Sequence, residues 1–146
     1  MAENMVLGFA FSSDRKSVIL VEKNRPEWQA GKINGVGGHV NEGETDKAAM
    51  IREFKEETGH EGPFWDEFLI MTGRTWVVHC FCTLFPDVGS LKFPVEFPVK
   101  DAADEIKAVR IYSVAALPDN VLYNLRWIIP LALDFDTCGI SLVTYQ

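Results

Sequence analysis

A glycine-rich run that leads into a helix crowded with acids, GGHVNEGETDKAAMIREFKEETG at residues 37–59, constrains this chain more than any other stretch. Like charges one turn apart on a helix repel by a few tenths of a kcal/mol per pair at an exposed surface, and by more where water is excluded. Residues 45–58 nonetheless read as helical. Thr45 can cap the start, Glu44 and Asp46 favour the positive N-terminal end, and Gly59 can take the left-handed conformation that ends many helices. At about 100° per residue, Ala48, Ile51, Phe54 and Thr58 fall on one side, while Glu53, Glu56 and Glu57 share an arc of about 100° on the other. The expectation is a helix with a core face and an acid face.

An acid face has two readings. It can be solvated surface, with Arg52 paired to Glu56 one turn on and Lys47 and Lys55 spread around the cylinder. It can also be a cation site, because Mg²⁺ takes oxygen ligands and carboxylates one turn apart can reach the same ion together with water and a substrate phosphate. Glycines ahead of the helix let a backbone carbonyl approach such an ion. The net charge of −7 argues against a long nucleic acid as partner. An acidic chain that binds a small phosphorylated anion needs a metal cation between the two negative groups.

The 146 residues suit a single domain, residues 1–146, with 47% apolar side chains to fill one core. Cys80, Cys82 and Cys138 are an odd number with no C-x-x-C pair, which speaks against a disulfide framework or structural zinc and for a reducing cytoplasm. Two apart in an apolar run, Cys80 and Cys82 are expected as small buried hydrophobes. The N-terminal MAENMVLGFAF lacks the basic cluster of a secretory signal, and no stretch is long and apolar enough to cross a bilayer, so a soluble cytoplasmic protein is expected.

Residues 5–11 and 17–21 read as a β-hairpin around SSDRK, and residues 23–38 as an irregular loop with a brief strand near 32–36. Residues 61–74 read as a polar connection and 75–85 as a central strand. Residues 87–104 read as a long loop with at most a weak edge strand, and 105–114 as a strand. Leu122, Leu125, Ile129 and Leu133 predict a helix over 120–133, kinked or bounded at Pro130, before a last strand in GISLVTYQ. Strands alternating with two helices indicate an α/β (α+β) sandwich. No histidine among His39, His60 and His79 has H-E-x-x-H spacing, and GVGGHV completes neither a dinucleotide fingerprint nor a P-loop.

Gly38, Glu44 and the run REFKEETGH from Arg52 to His60 closely resemble the Nudix box, G-x5-E-x7-R-E-U-x-E-E-x-G-U, where U is a bulky aliphatic residue. Every fixed non-aliphatic position is present, Gly59 included. Phe54 and His60 stand where the pattern has aliphatic residues, and Phe54 still serves the buried face. The resemblance implies a mixed β-sheet between helices and Mg²⁺-dependent hydrolysis of a nucleoside diphosphate linked to another group, with Mn²⁺ able to substitute. It implies Glu53, Glu56, Glu57 and the carbonyl of Gly37 as metal ligands, Arg52 holding Glu53, and Glu44 bracing the junction of loop and helix. The residue that deprotonates water varies in the family; Glu53 is the first candidate here and Glu105 the alternative. A catalytically silent nucleotide-sensing module is the reading from another class.

The family's ADP-ribose-cleaving members tend to place a proline near positions equivalent to 75 and 76, and its NADH-cleaving members carry an S-Q-P-W-P-F array. This chain has neither, which shifts the expectation toward a nucleoside triphosphate, oxidised or noncanonical purines included, over ADP-ribose or a dinucleoside polyphosphate. Tyr123, Asn124 and Trp127 could combine stacking with an amide that reads a purine edge. Lys23 and Arg25 could meet terminal phosphates, and Trp28 could line the pocket. A homodimer is compatible with all of this.

Overall fold

The computed structural model describes residues 2–62, 64–85, 88, 91, 104–135 and 139–146. Its centre is β1 (Glu3–Phe11), which runs parallel to β6 (Trp76–Leu84) along its whole length, from Glu3 opposite Trp76 to Phe11 opposite Leu84. Along its other edge β1 changes partner. Met5 to Gly8 pair with β4 (Val36–His39), and Ala10 and Phe11 pair with β2 (Ser17–Lys23). In the same way β2 passes from β1 to β3 (Ile33–Asn34), while its far edge carries β7 (Ile106–Ser113). The sheet therefore forks, and the chain crosses the fork between β3 and β4. Beyond β6 lie β5 (Asp66–Thr72), antiparallel to it, and then β8 (Ser141–Thr144), parallel to β5.

Two helices cover the faces. Along β1 and β2 every second side chain enters a different core: Val6, Ala10, Ile19 and Val21 meet α1 (Asp46–Thr58), whereas Leu7, Phe9, Phe11, Val18 and Leu20 meet α2 (Leu125–Leu133). Both sides of the sheet are thus buried, which is why these strands read as continuous apolar runs rather than alternating ones. The result is the expected α/β/α sandwich around a mixed sheet of eight strands among the described residues.

The ends of α1 match expectation. Thr45 Oγ1 accepts from the Ala48 amide at 3.1 Å, and Gly59, at φ 78°, closes the helix by donating to the Lys55 carbonyl. Its faces differ from expectation. Ala48 and Ile51 are exposed, and the buried set is Ala49, Met50, Glu53, Phe54, Glu57 and Thr58. The helix is turned by roughly one residue step, about 100°, toward its acids. Phe54 sits in an aromatic group with Trp65, at 5.1 Å between ring centroids, and Phe85, at 6.0 Å. His60 meets the same Phe85 edge-on at 6.3 Å, so the nonaliphatic end of the box still packs.

Other expectations are corrected. Residues 61–74 contain β5, a strand between β6 and β8 whose Phe68, Leu69 and Met71 are buried in the core beneath α2. Gly37 and Gly38 lie in a strand, not a loop. The last helix starts at Leu125, not 120, because residues before it hold another segment: the amide of Ile33 donates to the Asn120 carbonyl and that of Leu122 to the Ile33 carbonyl. The helix continues through Pro130 to Leu133. Cys80 is buried, and burial pushes its thiol up, while Cys82 is only half-buried; Cys138 and most of the 87–104 loop lie outside the described residues.

The rotated face of α1 gives an expected contrast. Met50→Ala should lower stability by about 2–5 kcal/mol, the range for truncating a buried long side chain, whereas Ile51→Ala should stay within about 0.5 kcal/mol. Urea midpoints of the two variants measure this. Equal losses would restore the face drawn from the sequence.

Candidate active site

The site forms where α1 lies across β4. At Gly38 a Cβ would come within 2.5 Å of Glu53 Oε1 and 2.6 Å of its carboxyl carbon, so the missing side chain is the space the carboxylate occupies. At Gly37 a Cβ would run into the Val6 carbonyl of the paired strand. The Gly37 amide instead donates to Glu57 Oε2 at 3.0 Å. Glu57 is 1% exposed, and its Oε1 is buried with no hydrogen-bond partner among the described residues.

Arg52 ties the surrounding acids together. Its Nε and Nη2 donate to the two oxygens of Glu44 at 2.8 and 3.0 Å, and Nη2 also donates to the His39 carbonyl at 2.9 Å. Its Nη1 donates to Glu53 Oε1 at 2.9 Å and to Glu56 Oε2 at 3.2 Å. Glu44 Oε1 in turn accepts from the Asn41 amide at 3.0 Å, which braces the loop before α1. The i,i+4 pair to Glu56 exists, but as one bond of a five-bond hub rather than a solvated surface pair. The roles of the His39 carbonyl and the Asn41 amide had no signal in the sequence, since backbone groups leave none.

Charge in this cluster is unbalanced. The Arg52 hydrogen bond holds Glu44 below the usual carboxylate range, and Glu44 in return holds the guanidinium firmly protonated. Burial pushes Glu53 up despite Arg52 beside it. Glu57 is pushed well up, first by burial and then by Glu53. A buried carboxylate with an unpaired oxygen, beside two more carboxylates that share one guanidinium, is a set that a hard divalent cation would complete. Glu53, Glu56 and Glu57 could hold such an ion.

Lys23 at the end of β2 and Glu105 just before β7 both act on this cluster: Lys23 lowers the Glu57 carboxyl, and Glu105 raises Glu53 and Glu57. Glu105 pairs with Arg25 at 3.5 Å, and its carbonyl accepts from the Asn24 amide at 2.7 Å. The fork of the sheet therefore brings Lys23 and Glu105 within electrostatic reach of the acids of α1, with Arg25 alongside as the partner of Glu105. Trp28, 67% exposed on a 3₁₀ turn at Glu27–Gln29, and Tyr123, 85% exposed, occupy segments joined by a bond from Asn120 Nδ2 to the Gly31 carbonyl. Asn124 caps α2 with its carbonyl, which accepts from Ile128 at 3.0 Å. Trp127 is half-buried and packs against the core beneath α2.

Comparison with known proteins agrees with the fold. A family model, the NUDIX domain, matches residues 4–130. The MutT NUDIX hydrolase of Burkholderia pseudomallei superposes with a TM-score of 0.68 at 18% identity, covering 90% of this chain and 98% of its own. The NUDIX domain of Shewanella oneidensis NrtR, solved with ADP ribose, gives 0.73 at 16%, covering 94% and 90%. An ADP-ribose pyrophosphatase from Streptococcus suis gives 0.70 at 18%, covering 99% and 100%. No curated protein matches the chain by sequence.

The raised carboxyls make a signed prediction for chelated protein. A glutamate raised above the ordinary 4.5 by folding stabilises the fold below that value, and the contribution is lost as pH rises through its folded value. Glu57→Gln should therefore make the metal-free protein more stable than the parent at pH ~8, with the difference shrinking toward pH ~5. Denaturant midpoints with chelator present check it; a parent more stable than the variant at the higher pH would contradict it.

Proposed function

The chain belongs to the NUDIX family of hydrolases, and on that premise we propose that it hydrolyses the diphosphate linkage of a nucleoside diphosphate derivative, with a nucleoside triphosphate as the leading substrate and monophosphate plus pyrophosphate as products. The observation that carries the reading is Glu57, buried against the Gly37 amide with one oxygen unpartnered and with Glu53 and Glu56 on the same helix face.

In this reading Glu53, Glu56, Glu57 and the Gly37 carbonyl hold Mg²⁺, for which Mn²⁺ can substitute. When bound, the cation supplies charge neutralisation and polarisation at the phosphoryl oxygens. The chain's own groups do the rest. Glu53, raised by burial yet fixed by Arg52, accepts the proton of the attacking water. Glu105 is the alternative acceptor, supported by its electrostatic reach to the same acids. Arg52 holds the Glu53 carboxylate in position, Glu44 and Gly38 fix the approach of loop to helix, and Gly59 ends the helix so that the acids stay in register. Lys23 and Arg25 meet the outer phosphates. Trp28 and Tyr123 are exposed rings on tethered segments and supply stacking surface for a base, with Asn124 adjacent to read its edge.

The preference for a triphosphate rests on the absence of a proline near residues 75 and 76. ADP ribose, bound in the Shewanella oneidensis NrtR domain and the substrate of the Streptococcus suis pyrophosphatase, is the competing substrate. The 146 residues act as one domain in this reading, and the cysteine usage suits a cytoplasmic setting.

Glu57→Gln should lower kcat by about 10²–10³-fold, corresponding to several kcal/mol of lost transition-state stabilisation, while circular dichroism stays that of the parent. A panel of canonical and oxidised nucleoside triphosphates, ADP ribose and dinucleoside polyphosphates, compared by kcat/KM, assigns the substrate. Turnover undiminished in the variant refutes the ligand assignment, and ADP ribose leading the panel refutes the triphosphate preference.

A further inference from the structure

Another group of metal-competent side chains meets at the N-terminal end of α1, away from the box acids. Asp46 opens the helix, Glu67 lies on β5 and His79 on β6, and each places one donor atom within 4.8 Å of the other two. His79 Nδ1 is 2.6 Å from Glu67 Oε2, and its Nε2 is 3.3 Å from Asp46 Oδ2. The second oxygen of Asp46, Oδ1, accepts from Asn4 Nδ2 at 2.9 Å. In both Asp46 and His79, then, the atom facing away from the partner is held by a separate hydrogen bond, and the remaining atoms face each other. This is the arrangement in which outer hydrogen bonds orient metal ligands: a carboxylate takes the far ring N–H of a histidine and frees the other nitrogen to coordinate.

The sheet supplies the alignment. A bulge on β5 shifts the register against β6 between Glu67 and Leu69, so that Glu67 stands opposite Phe81 on the α1 face and reaches diagonally to His79. All three side chains are partly buried, His79 at 18%, Glu67 at 24% and Asp46 at 32% exposed, which leaves access for an ion. Asp46 and Glu67 border an open cavity of about 500 Å³ that Thr45, Lys47, Asp66 and Phe81 also help to line.

We propose that Asp46 and His79 form a second cation site, specific for a borderline transition ion such as Zn²⁺ rather than Mg²⁺, with Glu67 fixing the His79 tautomer. Two atoms at about 2.0–2.1 Å from a tetrahedral Zn²⁺ are separated by about 3.3 Å, the spacing of His79 Nε2 and Asp46 Oδ2. An imidazole donor suits zinc, copper or nickel, whereas Mg²⁺ prefers an all-oxygen set, so the two ends of α1 sort different ions. Asp46 borders the cavity, from which water or an anion could complete the coordination. The competing account is an imidazolium clamped between two carboxylates with no ion.

Equilibrium dialysis of the full chain against Zn²⁺, with excess Mg²⁺ to occupy the box acids, separates the two. One Zn²⁺ per chain is expected, with affinity weakened about tenfold or more by Asp46→Asn and by His79→Gln. Nitrogen-15 spectra of the unsubstituted chain give a readout independent of how the variants fold: Zn²⁺ should shift His79 Nε2 while Nδ1 stays protonated. Absence of zinc uptake, uptake that both substitutions leave unchanged, or a His79 signal unmoved by zinc overturns the site. None of these readouts depends on hydrolysis, so the proposal stands or falls separately from the catalytic one.

Discussion

Glu57 is a carboxylate buried against a strand that has no side chains at the point of contact, and the arrangement around it follows from keeping it there. Removing a carboxylate from water costs several kcal/mol unless it is paired. Here one oxygen takes the Gly37 amide and the other takes nothing among the described residues. The neighbouring guanidinium does not resolve this, because Arg52 spends its donors on Glu44, Glu53, Glu56 and the His39 carbonyl. A fold that holds a carboxyl group in this way is poised for a cation; Gly38 leaves the space that the Glu53 carboxylate of α1 fills, and at Gly37 a side chain would run into the Val6 carbonyl of β1.

The forked sheet explains why the rest of the site assembles from distant parts of the chain. β1 gives up its edge from β2 to β4, and β2 turns to β3, so the ends of β2 and β7 arrive beside the box acids. That geometry sets Lys23 and Glu105 within electrostatic reach of Glu57, with Arg25 paired to Glu105. The 118–124 segment, bonded to Gly31 and Ile33, is brought to the Trp28 turn by the same fork.

What was legible in the sequence was mainly local. The caps of α1 and the central strands follow from short-range patterns and are present in the structure. The faces of α1 did not follow, because amphipathic analysis assigns burial to apolar side chains, and here Glu53 and Glu57 take buried positions while Ala48 and Ile51 stay outside. Gly37 and Gly38 read as loop for a related reason: a strand with no room for a side chain, beside the Val6 carbonyl at one position and the Glu53 carboxylate at the next, has the composition of a turn. β5 was hidden by its acidic start, Asp66 and Glu67, and becomes a strand through its partners β6 and β8. The start of α2 is set by tethers to Gly31 and Ile33, which no local signal carries.

The central claim, that α1 and β4 hold a carboxylate cluster waiting for a divalent ion, is tested most directly by calorimetry of Mn²⁺ uptake in buffers of different ionisation enthalpy. A group that folding pushes up must give its proton away when the ion arrives, so the account predicts uptake coupled to proton release that shrinks as pH rises. Uptake with no linked proton at any pH, or no uptake with nucleotide present, would contradict it.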